Sequence, residues 1–170
     1  MKKNKALILF MALLLILTAC GSGEKLGEQD IKLTIPAELS EDFGFIKEED
    51  IKKYAKEVIT QDDGSKEVLI SKKKQEELLE YLGDEIDTYF KDLSKTESLA
   101  YLKDIQTSKD YEDVKIYIDP SIDQEGDFSI IIISMYSSIY RTYAGLDKNI
   151  KVDIIDANDN EVLDSFTFPE

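Results

Sequence analysis

The residues that could carry chemistry in this chain are carboxylates, amides and hydroxyls, because it contains no histidine and only one cysteine. Asp156, Asn158 and Asn160 occupy alternate positions, as at the start of a calcium-binding EF-hand loop. Such a loop needs glycine at its sixth position and glutamate at its twelfth, and these positions hold Glu161 and Thr167. The pattern therefore predicts a hairpin turn and not a calcium loop.

Two other polar groups match incomplete patterns. Asp123, Glu125 and Asp127 alternate along one segment and are candidates for weak calcium binding, although exposed carboxylates are common before a helix. Ser71 and Lys74 have the Ser-x-x-Lys spacing of penicillin-binding proteins, but the Ser-Asp-Asn and Lys-Thr-Gly motifs that accompany it are missing from the sequence. We therefore expect no metal site, and we expect Ser71 to cap a helix.

The composition excludes several classes of site and partner. One cysteine without histidine cannot form a structural zinc site, an iron–sulfur site, a Ser-His-Asp triad, a Cys-His dyad or a disulfide within the chain. With 36 acidic against 21 basic residues the net charge is −15, which argues against binding of nucleic acid. The sequence indicates no cofactor. The catalytic arrangement that it leaves open is a pair of carboxylates with raised pKa values in a cleft.

The third predicted helix carries the most suggestive arrangement of aromatic residues. Tyr136, Tyr140 and Tyr143 lie at positions i, i+4 and i+7, and Arg141, the only arginine of the chain, lies among them. Tyrosine and arginine are favoured at protein interfaces, so these four residues form a candidate interface. The same spacing fits a helix that packs its tyrosines on a sheet with their hydroxyl groups at the margin, and we favour this second interpretation.

The elements that must position these residues follow from the periodicity. Alternating apolar residues predict strands at 31–35, 57–60, 67–70, 101–106, 113–119, 150–154 and 162–168, with turns at 62–65 and 156–160. A short helix is predicted over 47–56, and Val58 fits either this helix or the strand that follows. A longer amphipathic helix starts after Ser71, with apolar residues at three- to four-residue spacing from Leu78 to Leu93.

Residues 127–144 are ambiguous because the four isoleucines at 130–133 locally favour a strand. The length of the segment favours a helix, for which Asp127 is a suitable N-cap and Gly145 a suitable C′ residue. Its predicted buried face comprises Phe128, Ile132, Met135, Tyr136, Ile139, Tyr143 and Leu146. The order of elements then predicts an α+β fold, with a mostly antiparallel sheet of hairpins and about three helices packed on one face.

The first twenty residues have the pattern of an export signal. Lys2, Lys3 and Lys5 precede an unbroken apolar stretch over 6–17, which is too short to cross the ~30 Å hydrocarbon core of a membrane. The residues from Leu17 to Cys20, with the sequence Leu-Thr-Ala-Cys, resemble the lipobox of bacterial lipoproteins. The resemblance implies that residues 1–19 are removed and that Cys20, as the new first residue, carries diacylglycerol. Acyl chains of the palmitate type would then hold the protein on the outer face of the cell membrane.

The remainder of the chain divides into a tether and a domain. Residues 20–30 contain three glycines and one large apolar residue, which predicts a flexible tether. Residues 31–170 are predicted to form a single α+β domain. Removal of residues 1–19 takes away three lysines and no acid, so the mature chain is still more acidic and is repelled by anionic lipid.

Most of the chain resembles the small cell-surface lipoproteins of low-GC Gram-positive bacteria, a family without an assigned activity. The resemblance is carried by the lipobox, the segment 35–39 (Ile-Pro-Ala-Glu-Leu), the segment 63–65 (Asp-Gly-Ser) before a strand, Ser71-Lys72 at the start of a Glu- and Leu-rich helix, and the terminal hairpin. It implies an extracytoplasmic protein with Cys20 as its lipid site, and it transfers no catalytic residue.

These observations predict a non-enzymatic binding or accessory module whose expected partner is an envelope protein, bound through the sheet or the third helix. The alternative from another class is a carboxylate-based envelope hydrolase or a weak divalent-cation binder. An immunity-type lipoprotein that protects its own cell is a third reading. No oligomeric state is predicted.

Overall fold

A computed structural model describes residues 30–39, 47–122 and 128–169. Cys20 and the acidic residues Asp123, Glu125 and Asp127 lie outside the described residues. The strands are β1 (Asp30–Ile35), β2 (Glu57–Thr60), β3 (Lys66–Ser71), β4 (Leu102–Thr107), β5 (Asp113–Ile118), β6 (Ile150–Asp156) and β7 (Val162–Phe168). The α-helices are α1 (Glu48–Lys52), α2 (Lys72–Leu93) and α3 (Ser129–Tyr143), with short 3-10 turns at Ala37–Leu39 and Glu97–Leu99.

The predicted α+β class is confirmed. The strands form a three-stranded sheet of order β1-β3-β2 and a four-stranded sheet of order β4-β5-β6-β7, a division that the periodicity does not predict. Neighbouring strands are antiparallel except β5 and β6, which are parallel and are connected through α3. Helix α2 contacts β3 and β4, while α3 contacts β1, β5, β6 and β7, so the helices connect the two sheets. The inward side chains of both sheets and helices form one buried cluster.

The short first helix ends earlier than the periodicity predicts. It stops at Lys52, and Lys56 N–H donates to the Leu69 carbonyl at 2.8 Å, so the chain has already joined the sheet at that point. Val58 therefore belongs to β2, where it lies opposite Val68. The predicted hairpin between β2 and β3 is confirmed, and its turn uses Gly64 at a φ of 85°, a conformation that favours glycine.

Helix α2 has the start and the buried face that the sequence predicts. Ser71 Oγ accepts a hydrogen bond from Lys74 N–H at 3.3 Å, which confirms the N-cap. The Lys74 ammonium donates to Glu77 at 2.5 Å, so the amine of the Ser-x-x-Lys pattern is paired with a carboxylate. Four residues spaced one helical turn apart are buried, namely Leu78, Leu82, Ile86 and Phe90.

Helix α3 is confirmed as a helix, and its C-terminus is closed as predicted. Gly145 has a φ of 71°, and its N–H donates to the Thr142 carbonyl at 3.1 Å. The N–H of Leu146 donates to the Arg141 carbonyl at 2.9 Å, which completes a Schellman motif. The N-cap position belongs to Phe128, and the predicted cap Asp127 lies outside the described residues.

The buried face predicted for α3 is wrong at both ends. Phe128 is 65% exposed and Leu146 is 45% exposed. The helix is instead buried over a wider part of its circumference, because its hydroxyl side chains also point inward. Ser137 Oγ donates to the Ile133 carbonyl at 3.0 Å, and Thr142 Oγ1 donates to the Ser138 carbonyl at 2.9 Å. Hydroxyls that bond within their own helix can be buried at low cost, and the periodicity of apolar residues overlooks them.

Candidate functional site

The residues of the candidate interface on α3 are mostly inside the protein. Tyr136, Tyr143 and Arg141 are 3%, 6% and 5% exposed, and Tyr140 is half-buried. Tyr136 packs edge-on against Tyr89 of α2 with ring centroids 5.1 Å apart. This burial agrees with the packing interpretation favoured above, because the spacing turns Tyr136 and Tyr143 toward the core.

Tyr140 belongs to a second aromatic contact that holds the turn between β4 and β5. Its ring centroid lies 4.5 Å from that of Tyr111, which has a φ of 57° at this turn. The Tyr111 hydroxyl donates to Asp87 Oδ1 at 2.7 Å and lies 3.3 Å from the Gly83 carbonyl. Burial, followed by the hydrogen bond to Asp87, raises the pKa of Tyr111. The group is a packing contact that fixes the turn on α2.

Arg141 joins two connections that are far apart in the sequence. Its Nε donates to the Asp147 carbonyl at 2.7 Å in the connection from α3 to β6. Its Nη1 donates to the Asp110 carbonyl at 3.1 Å in the turn between β4 and β5, and the Asp110 carboxylate lies 3.4 Å away. The guanidinium therefore donates to two backbone carbonyls, which explains how a charged side chain is buried here.

Several carboxyl groups of the described residues have a pKa displaced from its usual value. Each carboxyl group with a displaced pKa in this part of the chain has it lowered, and the cause is a nearby lysine or hydroxyl donor. A general acid would need a raised pKa. Asp156, Asn158 and Asn160 form the predicted hairpin turn, in which Asp156 Oδ1 accepts from Asn158 N–H at 2.8 Å. Within the described ranges no group of three or more acidic or cysteine side chains could hold a metal ion.

The four-stranded sheet has a polar face directed away from the helices, which we call the open face. We define it by Gln106, Asp113, Lys115, Lys151, Asp153, Ser165 and Thr167, which alternate along their strands with inward-facing residues. Five of these residues, with Thr107 and Ser108, line a groove of about 480 Å³. The open face therefore has a concave region with side chains of both charges.

Asp153 lies at the centre of the open face and is held by two donors. Ser165 Oγ donates to Asp153 Oδ1 at 2.6 Å, and Lys151 Nζ donates to Asp153 Oδ2 at 2.9 Å. These hydrogen bonds, Ser165 first, lower the pKa of Asp153 and keep it ionised. Lys115 lies opposite Asp153 in the register, and among the described residues no carboxylate oxygen lies within 4.0 Å of its ammonium group. An ammonium group of this kind is available to a ligand.

The edge of this sheet at β7 is the most exposed strand of the fold. Val162 is 53% exposed and Leu163 is 45% exposed, and within β7 only Phe166 and Phe168 are half-buried. Between 162 and 168 the strand contains no lysine, arginine or proline, the residues that commonly protect sheet edges. The alternation of residues predicts β7 as a strand but does not predict that it lies at an edge, because periodicity carries no information about strand order.

Comparison with protein-family models, with curated proteins and with solved structures gives no match for this chain. In the part of the chain that the structure describes, no helix has the length and apolar character needed to span a membrane.

Proposed function

We propose that the chain is a bacterial lipoprotein, anchored through Cys20 to the outer face of the cell membrane, whose domain is a non-enzymatic module that binds an envelope protein. The position of the only cysteine, directly after Thr18 and Ala19 and the apolar stretch over 6–17, carries the proposal for the anchor. Residues 20–29 separate this anchor from β1, and a flexible coil of that length spans about 17 Å on average. The domain would thus stay close to the membrane.

Acylation and processing in the producing cell test the anchor. The unchanged chain is expected to incorporate a palmitate analogue and to begin at Cys20, whereas Cys20→Ala is expected to take up no label and to keep residues 1–19. Ser22→Ala is the matched control, since it changes a small residue in the tether and leaves the lipobox intact. Label in Cys20→Ala, or removal of residues 1–19 from the unchanged chain without any label, would contradict the anchor.

The open face supports the binding function. It offers a groove of about 480 Å³, an ammonium group at Lys115 and an ordered carboxylate at Asp153. Polar groups held in place by the fold are suited to binding because their ordering costs little when a partner arrives. On helix α3, the other surface considered from the sequence, Tyr136, Arg141 and Tyr143 are buried and Tyr140 is half-buried.

Photo-crosslinking in living cells tests the binding function. A photoreactive residue in place of Lys115 samples the open face, and one in place of Ile59, which is 43% exposed on the three-stranded sheet, samples another surface. One recurrent envelope protein captured at either position, and lost with Cys20→Ala, supports an anchored binding module. Random neighbours at both positions, and at a third probe in the exposed strand β7, would contradict it.

A further inference from the structure

We propose that the free edge of β7 receives an extended, basic segment of the partner as an additional antiparallel or parallel strand. This inference rests on the proposed binding function, and it specifies where the partner binds and what its segment contains. Strand addition is a common mode of peptide recognition, in which backbone hydrogen bonds along a sheet edge hold the incoming segment.

The backbone of β7 directs unpaired groups away from the sheet. The N–H of Lys151 points toward β5. Because backbone N–H and carbonyl groups alternate in direction along a strand, those of Val152 point toward β7, where Val152 lies opposite Phe166. Phe166 in turn directs its N–H and carbonyl toward β6, so the N–H of the preceding residue, Ser165, points away from β6. It donates to the neighbouring Asp164 Oδ1 at 2.8 Å, as expected of a strand edge that still lacks a backbone acceptor.

The same alternation applies to Thr167. Its N–H and carbonyl point away from β6, as those of Ser165 do, so the edge has two outward N–H and carbonyl pairs at the two-residue spacing of a strand ladder. The Ser165 N–H would exchange its acceptor on Asp164 for a backbone carbonyl of the incoming segment. Backbone groups at a sheet edge can pair with a second chain without any change in the sheet itself.

The other edge of this sheet is better protected. Strand β4 contains Lys103 at an irregular position in its pairing with β5, and lysines and bulges both discourage edge pairing. Asp104, Ile105 and Thr107 of β4 also line a cavity of about 180 Å³ together with residues of α2, so the helix lies beside this strand. In the three-stranded sheet, β2 has only four residues, while β1 carries Lys32 and contacts α3. Among the described edges, β7 is therefore the one suited to accept a strand.

Two apolar side chains at the start of β7 can anchor the incoming segment. Val162 pairs with Ile155 and Asp164 with Ile154, so Leu163 is an extra residue in the ladder. Such a bulge redirects side chains, and here both Val162 and Leu163 are about half exposed. Exposed apolar residues beside an open edge favour a partner segment that also carries apolar residues.

The charge around the edge selects a basic partner. The stretch 152–169 contains five acidic residues and no lysine or arginine, and these acids are Asp153, Asp156, Asp159, Glu161 and Asp164. Lys151, opposite Thr167 in the register, is paired with Asp153, so the other four acids carry the excess charge. Alternating lysine or arginine and apolar residues would pair with this charge and with the anchors. A second copy of this chain would place the same acids against each other, so like-charge repulsion disfavours pairing of two β7 edges.

Photo-crosslinking from Leu163 in the full-length chain, in the cell that makes it, tests the proposal. We expect capture of one protein, through a peptide rich in lysine or arginine. Thr167→Pro removes an outward N–H while leaving the bonds to β6, so it should lower the yield about ten-fold or more. Thr167→Ala, which also loses the side chain but keeps the N–H, is the matched control and should lower the yield much less than Thr167→Pro does. A thermal melt of each variant shows whether it folds.

A charge variant keeps the test decisive if Thr167→Pro does not fold. Glu161→Lys, beside β7, should lower the yield several-fold, and Asp62→Lys, an equal charge change in the turn between β2 and β3, should leave it unchanged.

Two results from the Leu163 probe overturn the proposal. One is a yield that does not respond to Thr167→Pro or Glu161→Lys, and the other is capture of a second copy of the chain. Capture from Ile59 or Lys115 without capture from Leu163 also overturns it while the binding function stands. Absence of any partner at all three positions overturns both.

Discussion

The hydroxyl of Tyr111 donates a hydrogen bond to the carboxylate of Asp87 across 2.7 Å, which joins the turn between β4 and β5 to the middle of α2. The two residues lie 24 positions apart, and Tyr111 takes a φ of 57° to make the contact. A non-glycine residue in this conformation costs free energy, so the packing and hydrogen bonds of Tyr111 must stabilise the fold by more than this backbone cost.

Removal of this hydroxyl should destabilise the domain. Tyr111→Phe keeps the ring contact with Tyr140 and leaves Asp87 without its donor, so we expect the free energy of unfolding to fall by about 1–3 kcal/mol. Urea denaturation followed by far-UV circular dichroism measures it. Tyr117→Phe is the control, because its exposed hydroxyl makes only a 3.4 Å contact with Gln106. Equal losses in the two variants would show that the contact with Asp87 contributes little.

Two glycines should respond to alanine in opposite directions. Gly83 lies inside α2, and a Cβ there would meet Tyr140 and Tyr111 at 3.7 and 3.8 Å, which are ordinary contacts. Because alanine is the better helix former, Gly83→Ala should raise the free energy of unfolding by about 0.5–1 kcal/mol. Gly145→Ala should lower it by about 1 kcal/mol, since its φ of 71° is strained for alanine. Thermal melts of both variants check the signs, and a loss in both would mean that Gly83 is packed too tightly.

The decrease in the free energy of unfolding at acidic pH should depend on Glu48. Hydrogen bonds from Lys52 and then Lys66 lower the pKa of Glu48 to about 2, from a usual value of 4.5. A carboxyl group with a lowered pKa in the fold stabilises it above its unfolded pKa, and this contribution is lost as the pH falls through the folded pKa. The difference in unfolding free energy between the unchanged chain and Glu48→Gln should therefore be full above pH 4.5 and shrink toward pH 2. Glu49→Gln, on the same helix, is the control, and a difference that does not vary with pH would refute the assignment.

Arg141 should not be replaceable by lysine. A lysine keeps the charge but cannot donate to the Asp147 and Asp110 carbonyls at the same time with a planar group, so Arg141→Lys should cost about 1–3 kcal/mol of unfolding free energy. Asp110→Asn should cost less, because the carbonyl that accepts from Arg141 is retained. Denaturant unfolding compares the two. A larger loss for Asp110→Asn would show that the carboxylate, and not the backbone, holds the guanidinium.

Local patterns in the sequence were sufficient to predict the secondary-structure elements. The cap at Ser71, the glycine at 145 and the alternation in the strands each act within a few residues, so α2, α3 and the hairpins lie where the sequence predicts them, whereas α1 ends earlier. The parallel pairing of β5 with β6 joins residues 38 positions apart, such as Asp113 and Lys151, and alternation looks the same in parallel and antiparallel strands. The division into two sheets and the exposed edge at β7 therefore required the structure.

The interface alternative considered for α3 rested on residue preferences that do not hold here. Preference scales treat serine, tyrosine and arginine as surface or interface residues, whereas Ser137 and Arg141 are buried here with backbone carbonyls as acceptors. Those acceptors lie in the helix itself and in two connections, and a single sequence does not reveal that they converge. The surface for which we propose binding carries only ordinary polar strand residues in the sequence, such as Lys115 and Ser165.

The acceptors of Arg141 also bear on how relatives of this protein could diverge. A carbonyl group is present whatever side chain a position carries, so these two hydrogen bonds from Arg141 constrain the arginine and not the residue types at positions 110 and 147. Gly145, four positions further on, is constrained by its backbone conformation for a separate reason. An arginine followed at that interval by glycine, near the end of a serine-rich helix, is thus the combination by which distant relatives would be recognised when the rest of the sequence has drifted.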